Sequence, residues 1–252
     1  MVELYVKNVI MKIHGLSTII PIYDNFDVVV KHVEGCMAGS VIPDEIIVVN
    51  DGGDKSLLEK LKQVEKKTKL IYARINEDIP WNTNGAYNLG MFISKGDYLS
   101  LEDCDHIPYP DFYEKALEKI KEGFDRVISH GRTLVKREDL QPYKAVGCHS
   151  LVGLYKREIL LKMKGYDERF GGHYGWNASD VLRRLNKLGC KTGSISGFYM
   201  VSDGMSIPET RPMMNGKPKM EKENAWQLRR NENEGGQVSH PILNFSYEIT
   251  YL

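Results

Sequence analysis

The feature that most limits what this chain can fold into is an alternation in its first hundred or so residues, where short β-branched runs are each followed by a longer amphipathic or polar segment. Residues 17–22, 45–50, 69–74 and 97–102 read as strands, and residues 25–37, 55–67, 83–95 and 111–122 read as helices. Strands that alternate with helices build a parallel sheet through crossover connections. The expected fold is therefore α/β, with a mostly parallel central sheet flanked by helices. Beyond residue 126 the pattern is weaker, giving strands at 127–129 and 150–155 and helices at 156–163 and 179–188. Residues 207–237 are poor in apolar side chains and rich in Lys, Glu, Asn and Pro, which reads as a loop, a lid or disorder.

A chain of 252 residues, 42% hydrophobic and 27% charged, can bury the core of one sizeable domain divided into two lobes around a cleft. Lys plus Arg and Asp plus Glu are equal at 34 each, so no global positive field favours nucleic acid. Cys36, Cys104, Cys148 and Cys190 form no CxxC pair, which argues against a structural zinc site or a redox dithiol. Residues 1–15 lack an apolar signal region, and no stretch reaches membrane-spanning length, so the chain reads as cytoplasmic.

Chemistry concentrates where the strands end, the crevice in which open parallel sheets bind ligands. Asp103 and Asp105, at i and i+2 beyond the fourth run, can point the same way and hold one hard cation, Mn2+ or Mg2+; a solvated acidic turn uses the same residues. Asp51 ends the second run, where its carboxylate can accept the N–H of a uracil ring, and Gly52 and Gly53 let a ligand come close; a plain turn has this composition too. Pro21, Tyr23 and Asp24 end the first run, with Tyr23 placed either to stack on a base or to pack on the surface. His130, His149 and His173 are the histidines expected nearest the cleft, and Tyr174 with Trp176 could form a platform for a sugar ring.

The runs Thr18-Ile-Ile-Pro-Ile-Tyr23, Ile46-Ile-Val-Val-Asn-Asp-Gly52, Asn88-x-Gly90 and Gly96-Asp-Tyr-Leu-Ser-Leu-Glu-Asp-Cys-Asp105 together resemble family 2-type GT-A glycosyltransferases. The stretch 81–90 with residues 105–108 is also similar to the β-1,4-galactosyltransferase and polypeptide N-acetylgalactosaminyltransferase branch, and a weaker match continues through 151–157, 165–170 and 175–185. The resemblance implies one GT-A domain over 1–252, with a nucleotide-sugar lobe at 1–106, an acceptor-side lobe at 107–206 and a lid or tail at 207–252. It implies transfer from a nucleoside diphosphate donor, a UDP-sugar favoured, to a glycan or other hydroxyl acceptor. Pro21, Tyr23 and Asp51 then meet the nucleoside. Arg74 and the segment from Asn82 to Asn88 approach the donor, while Asp103 and Asp105 serve the metal and diphosphate. Taken structurally, Asn88 and Gly90 are equally helix-packing residues and Arg74 a surface charge.

The pattern breaks at the general base, which in such transferases follows the tryptophan of a W-E-D-x-D-like run. Here the run is Trp176-Asn177-Ala178-Ser179-Asp180, with only the last aspartate kept. Either Asp180 takes the role from its place near a helix N-terminus, or the departing phosphate accepts the proton, or the domain binds a nucleotide sugar or glycan without catalysis. A sugar-phosphate nucleotidyltransferase is disfavoured because residues 23–27 are acidic and glycine-free. A dinucleotide oxidoreductase is disfavoured because no G-x-G-x-x-G follows the first run.

Overall fold

The computed structural model describes residues 2–6, 9–13, 15–147, 151–201, 213–214, 217–218, 222–233 and 243–252. A first hairpin, β1 (Val2–Val6) and β2 (Val9–Ile13), pairs antiparallel and precedes the main sheet. Four parallel strands form the centre: β3 (Leu16–Ile22), β4 (Glu45–Asn50), β5 (Lys69–Ile75) and β6 (Tyr98–Leu101). They are linked by α1 (Phe26–Cys36), α2 (Leu57–Lys62) and α3 (Thr83–Ile93).

The sheet continues with β7 (His106–Pro108), β8 (Arg126–Val135), β9 (Pro142–Gly147), β10 (Gly153–Lys156) and β11 (Thr192–Val201). Between them lie α4 (Phe112–Lys121), α5 (Arg157–Lys162) and α6 (Asn177–Lys187). The short strands β12 (Met213–Met214) and β13 (Lys217–Pro218) pair with each other, and α7 (Lys222–Asn233) and β14 (Tyr247–Tyr251) follow. The strand order is β14-β5-β4-β3-β6-β10-β8-β11-β7, with β9 on β8.

The chain moves outward from β3 to β4 and β5 and then returns to place β6 on the other side of β3. Loops leaving β3 and β6 therefore diverge, opening a crevice at the carboxyl ends of those strands. Both faces of the central strands are buried, so their side chains divide with period two. Leu16, Ile20, Ile46, Val48 and Leu70 join α1, α2 and α4 in one core, while Ile19, Ile47, Val49, Ile71 and Leu99 join α3, α5 and α6 in the other. Helix α3 lies very close to β3: a Cβ at Gly90 would fall 2.3 Å from Ile19 Cγ2. Asn88 is bonded on both sides to the backbone of Tyr166, at 2.9 and 2.8 Å. These two residues pack the helix, the structural alternative offered by the sequence.

The early elements match the sequence reading within a few residues. Helix α2 ends at Lys62 rather than 67, since beyond it only Val64 offers an apolar anchor among Gln63, Glu65, Lys66 and Lys67. The larger correction concerns 207–237, read as loop, lid or disorder, which contains the twelve-residue helix α7. Its buried positions are Asn224, Gln227, Leu228 and Asn231, so it docks through amides and shows no apolar stripe. Residues 202–212 and 234–242, like Cys148 and His149, lie outside the described residues. No helix among the described residues is long and apolar enough to cross a membrane.

Candidate active site

A cleft of about 310 Å3 opens at the carboxyl ends of β3, β4 and β6. Pro21, Tyr23, Asp24 and Asn25 reach it from the loop after β3, where Asn25 turns the chain into α1 with a left-handed φ of 64°. Asp51 reaches it from the end of β4, and its N–H donates to Ile22 O at 2.7 Å, tying the two loops together. The contact is close because residue 53 has no side chain: a Cβ there would lie 2.1 Å from Tyr23 O. Arg74 stands behind this loop rather than in the cleft, donating to Gly52 O at 3.4 Å and Gly53 O at 3.3 Å. Asn82 is buried at the N-cap position of α3, where its side chain makes no capping bond, while its neighbours Trp81, Thr83 and Asn84 line the cleft.

Asp103, Cys104 and Asp105 project from the end of β6. Asp103 Oδ1 accepts a hydrogen bond from the Tyr87 hydroxyl at 2.9 Å. Burial, and then the Asp103 charge, push the Tyr87 phenol well above its ordinary pKa, so it remains a donor. Burial likewise pushes Cys104 up, with Asp105 and Asp103 adding to it, which keeps the thiol protonated. Asp105 Oδ1 lies 2.5 Å from His106 Nδ1, and His106 Nε2 lies 2.8 Å from Arg132 Nη1.

Burial disfavours a charged His106, but the Asp105 carboxylate outweighs it and holds the imidazole above the ordinary value of 6.5. The guanidinium pulls the other way. In the neutral ring, because arginine can only donate, Nε2 presents its lone pair to Arg132 and the proton sits on Nδ1, facing Asp105. In this arrangement the fixed charge of Arg132 decides the tautomer, and His106 orients Asp105. One ligand atom each from Asp103, Asp105 and His106 lie within 4.8 Å of one another, spacing that fits a cation. With both ring nitrogens of His106 engaged, the two carboxylates are the donors suited to a hard divalent ion.

Beneath this loop is a buried polar cluster that the sequence reading missed. His32 Nδ1 donates to Cys104 O at 3.2 Å, and its Nε2 lies 2.6 Å from Glu102 Oε2. Glu102 Oε1 accepts from Ser100 at 2.5 Å and from Tyr113 at 2.9 Å. The His–Glu spacing is that of a hydrogen bond, with no room for an ion between them. The signal available in the sequence was Glu102 itself, an acid directly after the buried run Leu99-Ser100-Leu101.

The remaining wall is the loop from Phe170 to Asn177, which contributes His173 and Tyr174. Tyr174 meets Trp81 edge to face at 4.9 Å, whereas Trp176 does not line the cleft. His130 is exposed and bonded to Ser196 at 3.2 Å, also away from the cleft. Asp180 is directed elsewhere: it is 2% exposed, its Oδ2 is 2.8 Å from Arg184 Nε and its Oδ1 accepts from Asn231 at 2.8 Å. Asp180 lines a second pocket beside Arg183, Arg184 and Leu228 and is not among the residues that line the cleft, so the structure does not bring this candidate base together with the other predicted site residues.

The parallel core, the strand reversal and the cleft at its carboxyl edge define the GT-A fold of nucleotide-diphospho-sugar transferases. The chain belongs to glycosyl transferase family 2, whose sequence profile matches residues 17–176. S. aureus TarS (residues 1–349), solved in complex with UDP-GlcNAc, superposes with a TM-score of 0.62 at 12% identity over 79% of this chain and 62% of that one. Hyaluronan synthase of Pasteurella multocida is 29% identical over 100 residues, covering 40% of this chain and 10% of the synthase. The amylovoran biosynthesis glycosyltransferase AmsB of Erwinia amylovora is 24% identical over 220 residues, 76% of this chain and 72% of AmsB. Chondroitin synthase of Pasteurella multocida (strain Pm70) is matched over 13% of its length, so the chain spans a small part of either synthase.

Proposed function

We propose that the protein transfers a sugar from a nucleoside diphosphate donor, a UDP-sugar favoured, to a hydroxyl of a glycan or other acceptor. The observation that carries this reading is the convergence of Pro21, Tyr23 and Asp51 with Asp103 and Asp105 around one cleft. Asp51 accepts the N–H of the base and Tyr23 flanks the ring. Asp103 and Asp105 hold Mn2+ or Mg2+, which when bound offsets the charge of the leaving diphosphate. Tyr87 and His106 fix the orientation of the two carboxylates, so little reorganisation accompanies binding. Arg74 acts indirectly by supporting the Gly52–Gly53 backbone, and Asn82 by starting α3. The complex of TarS with UDP-GlcNAc supports a uridine donor. The likeness of residues 81–90 to the galactosyl- and N-acetylgalactosaminyltransferase branch adds hexose and hexosamine donors to the candidates.

The test is calorimetric titration of UDP, GDP and dTDP with and without Mn2+, beside the Asp103→Ala, Asp105→Ala double variant. Metal-dependent UDP binding that disappears in the variant is expected; metal-independent or absent binding in the wild type would overturn the reading. A second reading, a binding module without turnover, rests on Asn177 and Ala178 standing where two acids are expected. It predicts the same UDP titration with no UDP release from any UDP-sugar.

A further inference from the structure

Transfer as proposed above, on which the following rests, requires a group that takes the proton of the attacking hydroxyl, and where the departing phosphate does not take it a side chain of the cleft must. Asn177 and Ala178 carry no acid, and Asp180 is bonded to Arg184 and Asn231 and does not line the cleft. The cleft itself offers few alternatives. Cys104 lies between the two carboxylates at the diphosphate end, and the Tyr174 ring is engaged edge to face with Trp81. Asp103 and Asp105 belong to the diphosphate end, while Asp24 and Asp51 follow the strands at the nucleoside end. His173 lies on the remaining wall, and the charge of Asp103 reaches its neighbour Tyr174.

The backbone at His173 is fixed from a distance. Asn224 of α7 is 1% exposed, and its amide nitrogen lies 3.0 Å from Phe170 O, 2.8 Å from His173 O and 3.0 Å from Gly175 O, its two N–H groups shared among the three carbonyls. Three carbonyls bracketing one imidazole are thus gripped by a single buried amide. A general base must be held within a fraction of an ångström of its proton, and an anchored loop supplies that where a free one does not.

We propose that His173 is the general base of the transfer. Its imidazole takes the acceptor hydroxyl proton as that oxygen bonds to the anomeric carbon. The bond from that carbon to the diphosphate breaks, its electron pair leaves on the nucleotide, and the imidazolium afterwards gives its proton to solvent. Asn224 is a positioning residue that acts through the loop backbone.

The test compares wild type with His173→Ala and His173→Gln. It follows Mn2+-dependent release of UDP from UDP-GlcNAc, UDP-galactose, UDP-glucose and UDP-glucuronate, with water and simple sugars as acceptors. Both variants are expected to bind UDP with Mn2+ within about threefold of wild type while release falls by roughly a hundredfold or more. The acid-side decline of the pH–rate profile disappears, and added imidazole restores part of the rate in the alanine variant. Release within about threefold of wild type, or an unchanged acid limb in His173→Ala, overturns the assignment. So does a wild type that binds UDP but releases none from any of the four sugars. Absence of metal-dependent UDP binding in the wild type removes the transferase reading itself, and the titration registers that before any turnover is read.

Discussion

Asn231 donates its side-chain amide to Asp180 Oδ1 at 2.8 Å, while Arg184 holds Oδ2 of the same carboxylate from one turn along α6. The same amide donates to Asp167 Oδ2 at 2.7 Å. One residue of α7 therefore joins two buried acids from separate elements, and α7 is docked by polar geometry. Arg184 also donates to Met163 O at 2.9 Å and Gly165 O at 2.6 Å, so its charge is fully committed inside the protein.

Removing the Asp180 charge leaves that guanidinium buried without its counter-ion. Asp180→Asn is expected to lower the unfolding free energy by about 3 kcal/mol, measured by urea denaturation. Folded protein of this variant is expected to bind UDP with Mn2+ normally and to keep most of its turnover. A variant with native stability and abolished turnover would return Asp180 to a catalytic role.

The hydroxyl of Tyr87 is the donor to Asp103 Oδ1, and both belong to the proposed cation site. Tyr87→Phe keeps the ring stacked on Tyr166, at 5.1 Å, and deletes only that bond. The expected result is a loss of about 1 kcal/mol in Mn2+-linked UDP affinity, roughly fivefold, with metal-free UDP affinity unchanged. Equal weakening with and without metal would show that Tyr87 supports the cleft generally rather than Asp103.

How much of this was legible in the sequence depended on what kind of residue each element buries. Strands β3 to β6 bury apolar side chains on both faces, so their runs and the acids ending them stood out. Strand β11 did not, because Gly193, Ser194, Ser196 and Gly197 dilute its apolar positions. Helix α7 was invisible because three of its four inward side chains are amides and Leu228 stands alone, and hydrophobic periodicity carries no record of a face that docks through hydrogen bonds. The acids of the cleft were readable from their position after strands. Their supports Tyr87 and Arg132 were not, since only the folded chain brings α3 and β8 beside the loop after β6, and His106, next to Asp105 in sequence, shows its role only once Arg132 lies against it.

Asp167 provides a pH-dependent stability. Burial works to raise its pKa, but hydrogen bonds from Arg169 and Asn231 outweigh that and hold it below the ordinary 3.8. A depressed folded value means the unfolded chain takes up the proton first as pH falls. Its contribution is therefore complete above 3.8 and is lost as pH drops through the lower folded value. Asp167→Asn should flatten the acid limb of the stability curve, read as thermal midpoint between pH 5 and about 2.5. An unchanged acid limb would place the acid sensitivity in other carboxylates.

The closeness of the loops after β3 and β4 gives the last prediction. A Cβ at residue 53 would sit 2.1 Å from Tyr23 O and 3.0 Å from Asn50 Oδ1, and the first collision is with backbone that cannot swing aside. Relief requires the loop carrying Asp51 to move away from the loop carrying Tyr23, which separates the two residues proposed to hold the nucleoside. Gly53→Ala should therefore cost about 1–3 kcal/mol of stability and weaken UDP binding by at least roughly tenfold. Gly147→Ala is the matched control, because a Cβ there meets nothing within 4 Å. It should change neither quantity. If Gly53→Ala lost stability but bound UDP as tightly as wild type, the nucleoside would have to be held elsewhere than between Tyr23 and Asp51.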